Sequence, residues 1–349
     1  MQKRAVVLPV GTIRMKKDGK VYEKNASGWK ISKKIFPGAH EAVKLFKAHK
    51  NLNALVDKKD PGFLKGMFIK GEAKGARINV LPDGKVLEKA FSLFSHGLKI
   101  HDQNSHDHWD VIYQNKGGTY SYVYTVEKRR LHRQSKYKKV EVFAKHYPIL
   151  RHNVEKALHD KNDPLALPME TLLTTYMRVG NETYYKAHGH KGLTTLMKKD
   201  VSISGNKVKF NYLGKDGVPQ KIAKEFPLPY VQRLKERLQR CKNNDFIFSR
   251  NGHPLPEKEL KKAFVKYCGQ EFYPHIVRSF YATSQVRLFL HENKKFSKND
   301  VTKLFLDIAG SLGHKKFNKK TNSWEENYAV TVQSYIQPEL AQRVFDAVR

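Results

Sequence analysis

The sequence predicts an α+β protein, with a sheet-rich N-terminal part followed by a mainly α-helical part that holds one small antiparallel sheet. Three features lead there. Asp-Gly and Gly-Gly turns separate short β-rich runs through the first part. Apolar residues recur every three or four positions through most of the second. One stretch of strict polar–apolar alternation interrupts that helical pattern.

In chain order, "GTIRMKKDGKVYEKNASGWKIS" has turn signals at Asp18-Gly19 and Ser27-Gly28, between runs carrying Val21, Tyr22, Trp29 and Ile31. "HEAVKLFKAHKNLNALV", His40 to Val56, has helical spacing. "ARINVLPDGKVL" forms a hairpin turning at Asp83-Gly84, and "WDVIYQNKGGTYSYVYTV" another turning at Gly117-Gly118. The basic segment "EKRRLHRQSKYKK" reads equally as a charged linker, a solvated helix face or a strip that tracks phosphates. Beyond it, Leu172, Thr175, Tyr176 and Val179 lie at helical spacing, as do Leu260, Ala263, Phe264 and Tyr267, and then Val301, Leu304, Phe305 and Ile308. Val208, Phe210 and Tyr212 alternate with Lys207, Lys209 and Asn211, and the "GKDG" turn sets Lys215 at a hairpin tip. The expected divisions are an accessory hairpin module at 1–60, a second sheet-rich domain at 61–127, a basic linker at 128–139 and a helical domain at 140–349.

Charge narrows the choice of partner. Lys and Arg number 66 against 33 Asp and Glu, a net +33 that repels itself unless a polyanion neutralises it. Nucleic acid fits best, since each neutralised phosphate releases counterions. Anionic membrane is the other polyanion, but there is no apolar run of transmembrane length, no signal peptide and no lipidation motif. The two cysteines, Cys241 and Cys268, exclude a disulfide scaffold and a Cys-based zinc finger, and they fit a reducing, DNA-containing compartment: cytoplasm, nucleoid or virion. His101, His106 and His108 in "HDQNSHDHWD" match no standard ligand spacing, so no metal is expected. No Walker loop, dinucleotide fingerprint, HExxH or paired-carboxylate motif is present, so no cofactor is expected.

Several cationic residues stand in particular settings. Arg178 closes a helix in "YMRVGNETYY", Lys215 occupies the hairpin turn, and His275 and Arg278 lie three apart after a helix-starting proline. His314 ends a helix in "LGH". Each has a plain alternative: a dipole-complementing arginine, one surface lysine among many, a hydrogen-bonded core histidine.

Taken together, "RVGNETYYKAHGHKGLTTLMKKDVSISGNKVKFNYLGKDG" resembles the central motif of type IB DNA topoisomerases of the poxvirus and bacterial kind. There an "R(V/I)GNE" turn leads through "GLTTL" to a strand pair and a "GK" hairpin lysine. The resemblance is close over residues 128–349 and looser over 60–127. It implies a DNA clamp at 61–127, the catalytic fold shared by topoisomerase IB and tyrosine recombinases at 140–349, and a monomer acting on double-stranded DNA. It also implies catalytic roles for Arg178, Lys215, Arg278 and His314, with His275 as an additional active-site residue. In the basic segment, Arg129, Arg130, Arg133, Lys136, Lys138 and Lys139 are the expected phosphate contacts.

The chemistry is consistent with that carry-over. Transesterification at phosphorus builds negative charge that two arginines can clamp and a histidine can hydrogen-bond. A lysine among arginines is disposed to protonate the leaving 5′ oxygen. A tyrosine becomes a 3′-phosphotyrosyl ester that stores the bond energy, so neither ATP nor metal is required. Tyr328 and Tyr335 both follow His314. "AVTVQSYIQPEL" resembles the family's nucleophile segment, where "AV" precedes a polar "(K/Q)SY" and a proline follows, which selects Tyr335. "KKFNKKTNSWEEN" then reads as an insertion into a loop. The rival readings are a tyrosine recombinase or integrase, which shares this residue set, and a non-catalytic DNA-binding relative.

Overall fold

The computed structural model describes residues 8–75, 77–101, 109–116 and 118–348, and it divides into two units, 1–135 and 136–349. The first unit opens with strands β1 (Ile13–Met15), β2 (Val21–Asn25) and β3 (Gly28–Ile31), then helix α1 (Pro37–Ala48). Strands β4 (Met67–Ile69), β5 (Glu72–Lys74), β6 (Ile78–Val80), β7 (Val86–Phe91), β8 (His96–Ile100), β9 (Val111–Gln114) and β10 (Tyr120–Val123) follow. They form a five-stranded sheet ordered β3-β2-β1-β4-β5, a β6–β7 ribbon and a three-stranded β10-β9-β8 sheet. Ala39, Ala42, Val43 and Phe46 of α1 share one core with Ile13, Met15, Ile78, Phe91 and Val111.

Three expectations shift here. The boundary at residue 60 falls inside the five-stranded sheet, because β1 pairs with β4 at Ile13↔Phe68, and residues on both sides of it, such as Phe46 and Phe91, share one core. The helix expected at His40–Val56 stops at Ala48, where Lys50 turns left-handed at φ 55°, and resumes as a short 3₁₀ turn over Leu52–Leu55. The basic segment 128–139 belongs to a long helix, α2 (Val126–Ala157), rather than to an unstructured linker. His106, His108 and Gly117 lie outside the described residues. Among the described residues, no group of three or more His, Cys, Asp or Glu is placed to hold a metal, and no helix is long and apolar enough to cross a membrane.

In the second unit come α3 (Ala166–Thr175), α4 (Glu182–His188), β11 (Val201–Ser204), β12 (Lys207–Leu213), β13 (Pro219–Glu225) and α5 (Leu228–Gln239). Next are β14 (Ser249–Arg250), β15 (His253–Pro254), α6 (Glu257–Cys268), α7 (Ile276–Glu292) and α8 (Lys298–Ser311). The chain ends with β16 (Lys315–Asn318), β17 (Ser323–Glu326), α9 (Ala329–Ser334) and α10 (Pro338–Asp346). The alternating stretch is the middle strand of an antiparallel β11-β12-β13 sheet, with Val208, Phe210 and Tyr212 buried and the intervening residues exposed. Two cores hold this unit. One joins Phe143 and Leu150 of α2 to Leu172, Phe210, Tyr230 and Phe264. The other joins Val286, Phe305, Ile308, Tyr335, Ile336 and Val344.

Candidate active site

Arg178 lies just past α3 rather than on it. The helix stops at Thr175 because Tyr176 adopts a left-handed conformation, φ 55°, which turns the chain into an extended run. The glycines of the "RVGNE" and "GLTTL" motifs fix that run in place. Leu193 N–H donates to Arg178 O at 2.7 Å and Thr194 N–H to Val179 O at 2.6 Å. A Cβ on Gly192 would stand 2.5 Å from both Arg178 O and Gly180 N, so only glycine permits the approach. Gly180 itself sits at φ +92°. The motif is therefore a backbone clamp that aims one arginine.

The second arginine comes from α7. Arg278 is only 2% exposed. Its Nη1 donates to Tyr176 O, and its Nη2 to Leu312 O at 2.8 Å and to His314 Nε2 at 3.0 Å. A buried guanidinium is tolerable only when its donors are so occupied; its Nε, however, is buried without a partner. His275, three residues earlier at the start of α7, faces the same way.

His314 follows α8. An arginine can only donate, so Nε2 of His314 must be the acceptor of the Arg278 bond, and Nδ1 carries the proton toward Thr331 Oγ1 at 2.8 Å. The ring is thus assigned as a neutral tautomer by its hydrogen bonds. Burial, then the Arg278 and Arg178 charges, push its pKa down to about 3. His275 is exposed, yet desolvation acts first on it too, followed by Arg278, Arg178, Lys136 and His314, bringing its pKa to about 3.

All these groups surround Tyr335, which is 3% exposed at the end of α9. Arg178 Nη2 donates to its hydroxyl at 3.0 Å. The Arg278 guanidinium lies 5.1 Å from the ring centroid, and the His314 and His275 rings lie 4.7 and 5.3 Å away. Such cation–ring placement attracts by about 0.5–2 kcal/mol. Tyr328 is elsewhere: it precedes α9 and packs its ring on Phe305 at 5.7 Å.

A concave site beside these residues is lined by Arg178, Lys191, Lys215, Gln220, Arg278 and His314. Of its three lysines, Lys315 is exposed at the start of β16, and the other two differ. Lys191 is committed to both oxygens of Asp200, at 2.8 and 2.7 Å. Lys215 is exposed on the turn between β12 and β13, where Asp216 takes φ 61°, and its ammonium has no hydrogen-bond partner among the described residues. Gln220 Nε2 donates to Gly313 O at 3.0 Å, tying β13 to the "LGH" turn.

The stretch expected as an insertion into a loop folds as a hairpin, β16–β17, with Lys315↔Glu326 as its first rung and Phe317 and Trp324 meeting edge-to-face across it at 5.2 Å. Aromatic and opposite-charge cross-strand pairs are the contacts that stabilise a short ribbon. Of the expected phosphate contacts, Arg129, Arg130, Arg133, Lys138 and Lys139 are exposed on α2, and Arg129 also pairs with Glu88 at 3.2 Å. Lys136 differs from them, lying over the Tyr335 ring at 5.3 Å. Sequence reasoning missed Thr331, Gln220 and Lys191; each acts through a contact made by folding, with no motif of its own.

Residues 126–337 match the family described as eukaryotic DNA topoisomerase I, catalytic core, and the chain belongs to that family. The matched segment runs from the start of α2 to just past Tyr335, so it contains Arg178, Lys215, Arg278 and His314 as well. DNA topoisomerase 1B of Acanthamoeba polyphaga mimivirus is 26% identical over 203 residues, 52% of this chain and 59% of that protein. The chain therefore spans 59% of the length of that relative. Among solved structures, XerH site-specific recombinase bound to difH substrate, in a pre-cleavage complex, is 16% identical with a TM-score of 0.34, covering 49% of this chain and 45% of that one. Its post-cleavage complex on palindromic difH gives a TM-score of 0.33 at the same identity and coverage.

Proposed function

We propose that this chain is a type IB DNA topoisomerase, relaxing supercoiled duplex DNA through a transient 3′-phosphotyrosyl bond at Tyr335, as a monomer and without ATP or metal. The observation that carries the reading is the Arg178–Tyr335 hydroxyl bond at 3.0 Å inside a ring of cationic and imidazole groups. In this reading a scissile phosphate enters the concave site, and Arg178 and Arg278 hold its non-bridging oxygens. The bond from Tyr335 Oη to phosphorus forms while the bond from phosphorus to the 5′ oxygen breaks. The phenolic proton leaves to water, and Lys215, at the hairpin tip of the site, protonates the 5′ oxygen. After the freed strand rotates, the 5′ hydroxyl attacks the ester and the same steps run in reverse. The exposed arginines and lysines of α2 hold flanking phosphates, so binding weakens steeply with salt. The working compartment is one that is reducing and contains DNA.

The test is purified protein on supercoiled plasmid, in EDTA and without ATP, with detergent-trapped adducts measured alongside. Relaxation and a 3′-linked adduct are expected, both lost in Tyr335→Phe and both retained in Tyr328→Phe. A wild-type protein that leaves the plasmid supercoiled and forms no adduct refutes the proposal. Strand exchange between paired sites without relaxation points to a recombinase instead.

A further inference from the structure

The chain around Tyr335 has just left a helix, and carbonyls there lack the partners that a continuing helix would supply. Three consecutive carbonyls are capped by side chains. Lys136 Nζ donates to Ser334 O, Thr283 Oγ1 donates to Tyr335 O at 3.4 Å, and Tyr137 Oη donates to Ile336 O at 2.6 Å. The Tyr137 bond is buried, and its partner Ile336 is 0% exposed. Two neighbouring residues of α2 therefore grip the peptide on either side of one tyrosine, across about two hundred residues of sequence. Lys136 also stands over the ring of that tyrosine.

Adjacent positions on a helix point about a quarter-turn apart, so a pair such as Lys136 and Tyr137 ordinarily serves two surfaces. Here both converge on one short turn, with the ammonium on the carbonyl before the tyrosine and the phenol on the carbonyl after it. A tyrosine that must meet phosphorus in line with a leaving oxygen depends on how its backbone is aimed, since a displacement of about 1 Å costs roughly a hundredfold in rate. We infer that Lys136 and Tyr137 are positioning residues that clasp the nucleophile's turn, and that the main task of Lys136 lies with Ser334 and Tyr335 rather than with a DNA phosphate. The inference rests on Tyr335 being the nucleophile. Because Lys136 and Tyr137 belong to the same helix as the exposed basic residues, the element that meets DNA also sets the aim of the attacking group.

The test is single-turnover cleavage at saturating duplex, on a strand cut so near its end that the downstream piece departs and traps the adduct. Lys136→Ala and Tyr137→Phe should each slow adduct formation by about ten- to a hundredfold, with the Kd for duplex and its salt slope unchanged. Lys136→Arg, which keeps a long cationic donor, should recover most of the rate, and Tyr137→Phe, being nearly isosteric, should melt close to the wild type. Lys136→Ala and Tyr137→Phe variants that cleave at the wild-type rate under saturation overturn the clasp. A salt slope reduced by about one in Lys136→Ala would then place that residue on a phosphate. An adduct that survives Tyr335→Phe overturns the clasp and the proposed chemistry together, whereas a normal Tyr335 adduct with indifferent clasp variants overturns the clasp alone.

Discussion

Lowering the pH from 7 to 5 should destabilise the helical unit through His275 and His314. His314 is half-buried and His275 exposed, both beside Arg178 and Arg278, and both have pKa values brought down to about 3 from the ordinary 6.5. Below pH 6.5 the unfolded chain takes up protons on these imidazoles while the folded protein does not. The stability they carry is therefore fully present above about pH 6.5, declines as the pH falls, and is gone near pH 3. Between pH 7 and 5 the loss is about 2 kcal/mol for half-buried His314, and solvent screening leaves the exposed His275 only a small part of that. That lowers the melting temperature by about 4–8 °C for a unit of this size. Calorimetry across the pH range measures it, and a His314→Asn variant should lose most of the dependence. Added duplex should flatten the curve, since a phosphate beside the rings favours their charged form. A melting temperature unchanged between pH 7 and 5, or a His314→Asn profile parallel to the wild type, refutes the assignment of a neutral His314 imidazole.

Two further outcomes follow from the site. Arg278→Ala strands the carbonyls of Tyr176 and Leu312 and the acceptor nitrogen of His314, so it should cost about 3–5 kcal/mol of stability, readable by denaturant melting, and should also abolish relaxation. Lys215→Ala should slow cleavage of ordinary duplex by about 10²–10⁴-fold, yet cleave near the wild-type rate when the leaving 5′ oxygen is replaced by sulfur, which departs without a proton; a defect that persists with sulfur removes Lys215 from the role of acid.

Much of this architecture is legible in the sequence because its signals are local. Leu260, Ala263, Phe264 and Tyr267 mark α6 by their spacing, and all four are buried on one face. Val208, Phe210 and Tyr212 mark β12 in the same way. The grouping of Arg178, Arg278, His314 and Tyr335 was legible only through the motif, since no periodicity relates residues on α7, α9 and two turns. What escaped was carried by pairings between distant segments. The β1–β4 rung crosses residue 60 because edge hydrogen bonds are indifferent to chain distance. Lys136 reads as one more cation in a basic run, and its contacts with Ser334 O and the Tyr335 ring, made only on folding, set it apart from Lys138 and Lys139. The polar stretch after His314 looks like loop because Lys, Asn and Glu dominate it. Its hairpin is specified by two aromatic residues, Phe317 and Trp324, that lie opposite each other only once the strands pair.

That hairpin also changes how distance along this chain should be measured. Lys315, next to His314, pairs with Glu326, so the ribbon leaves and rejoins the helical unit at neighbouring points about 5 Å apart. Everything beyond the first rung could be lengthened, shortened or exchanged for another ribbon without separating the histidine from the tyrosine. A residue count from one to the other is accordingly a poor ruler for recognising such a site, and a permissive place to graft a new segment.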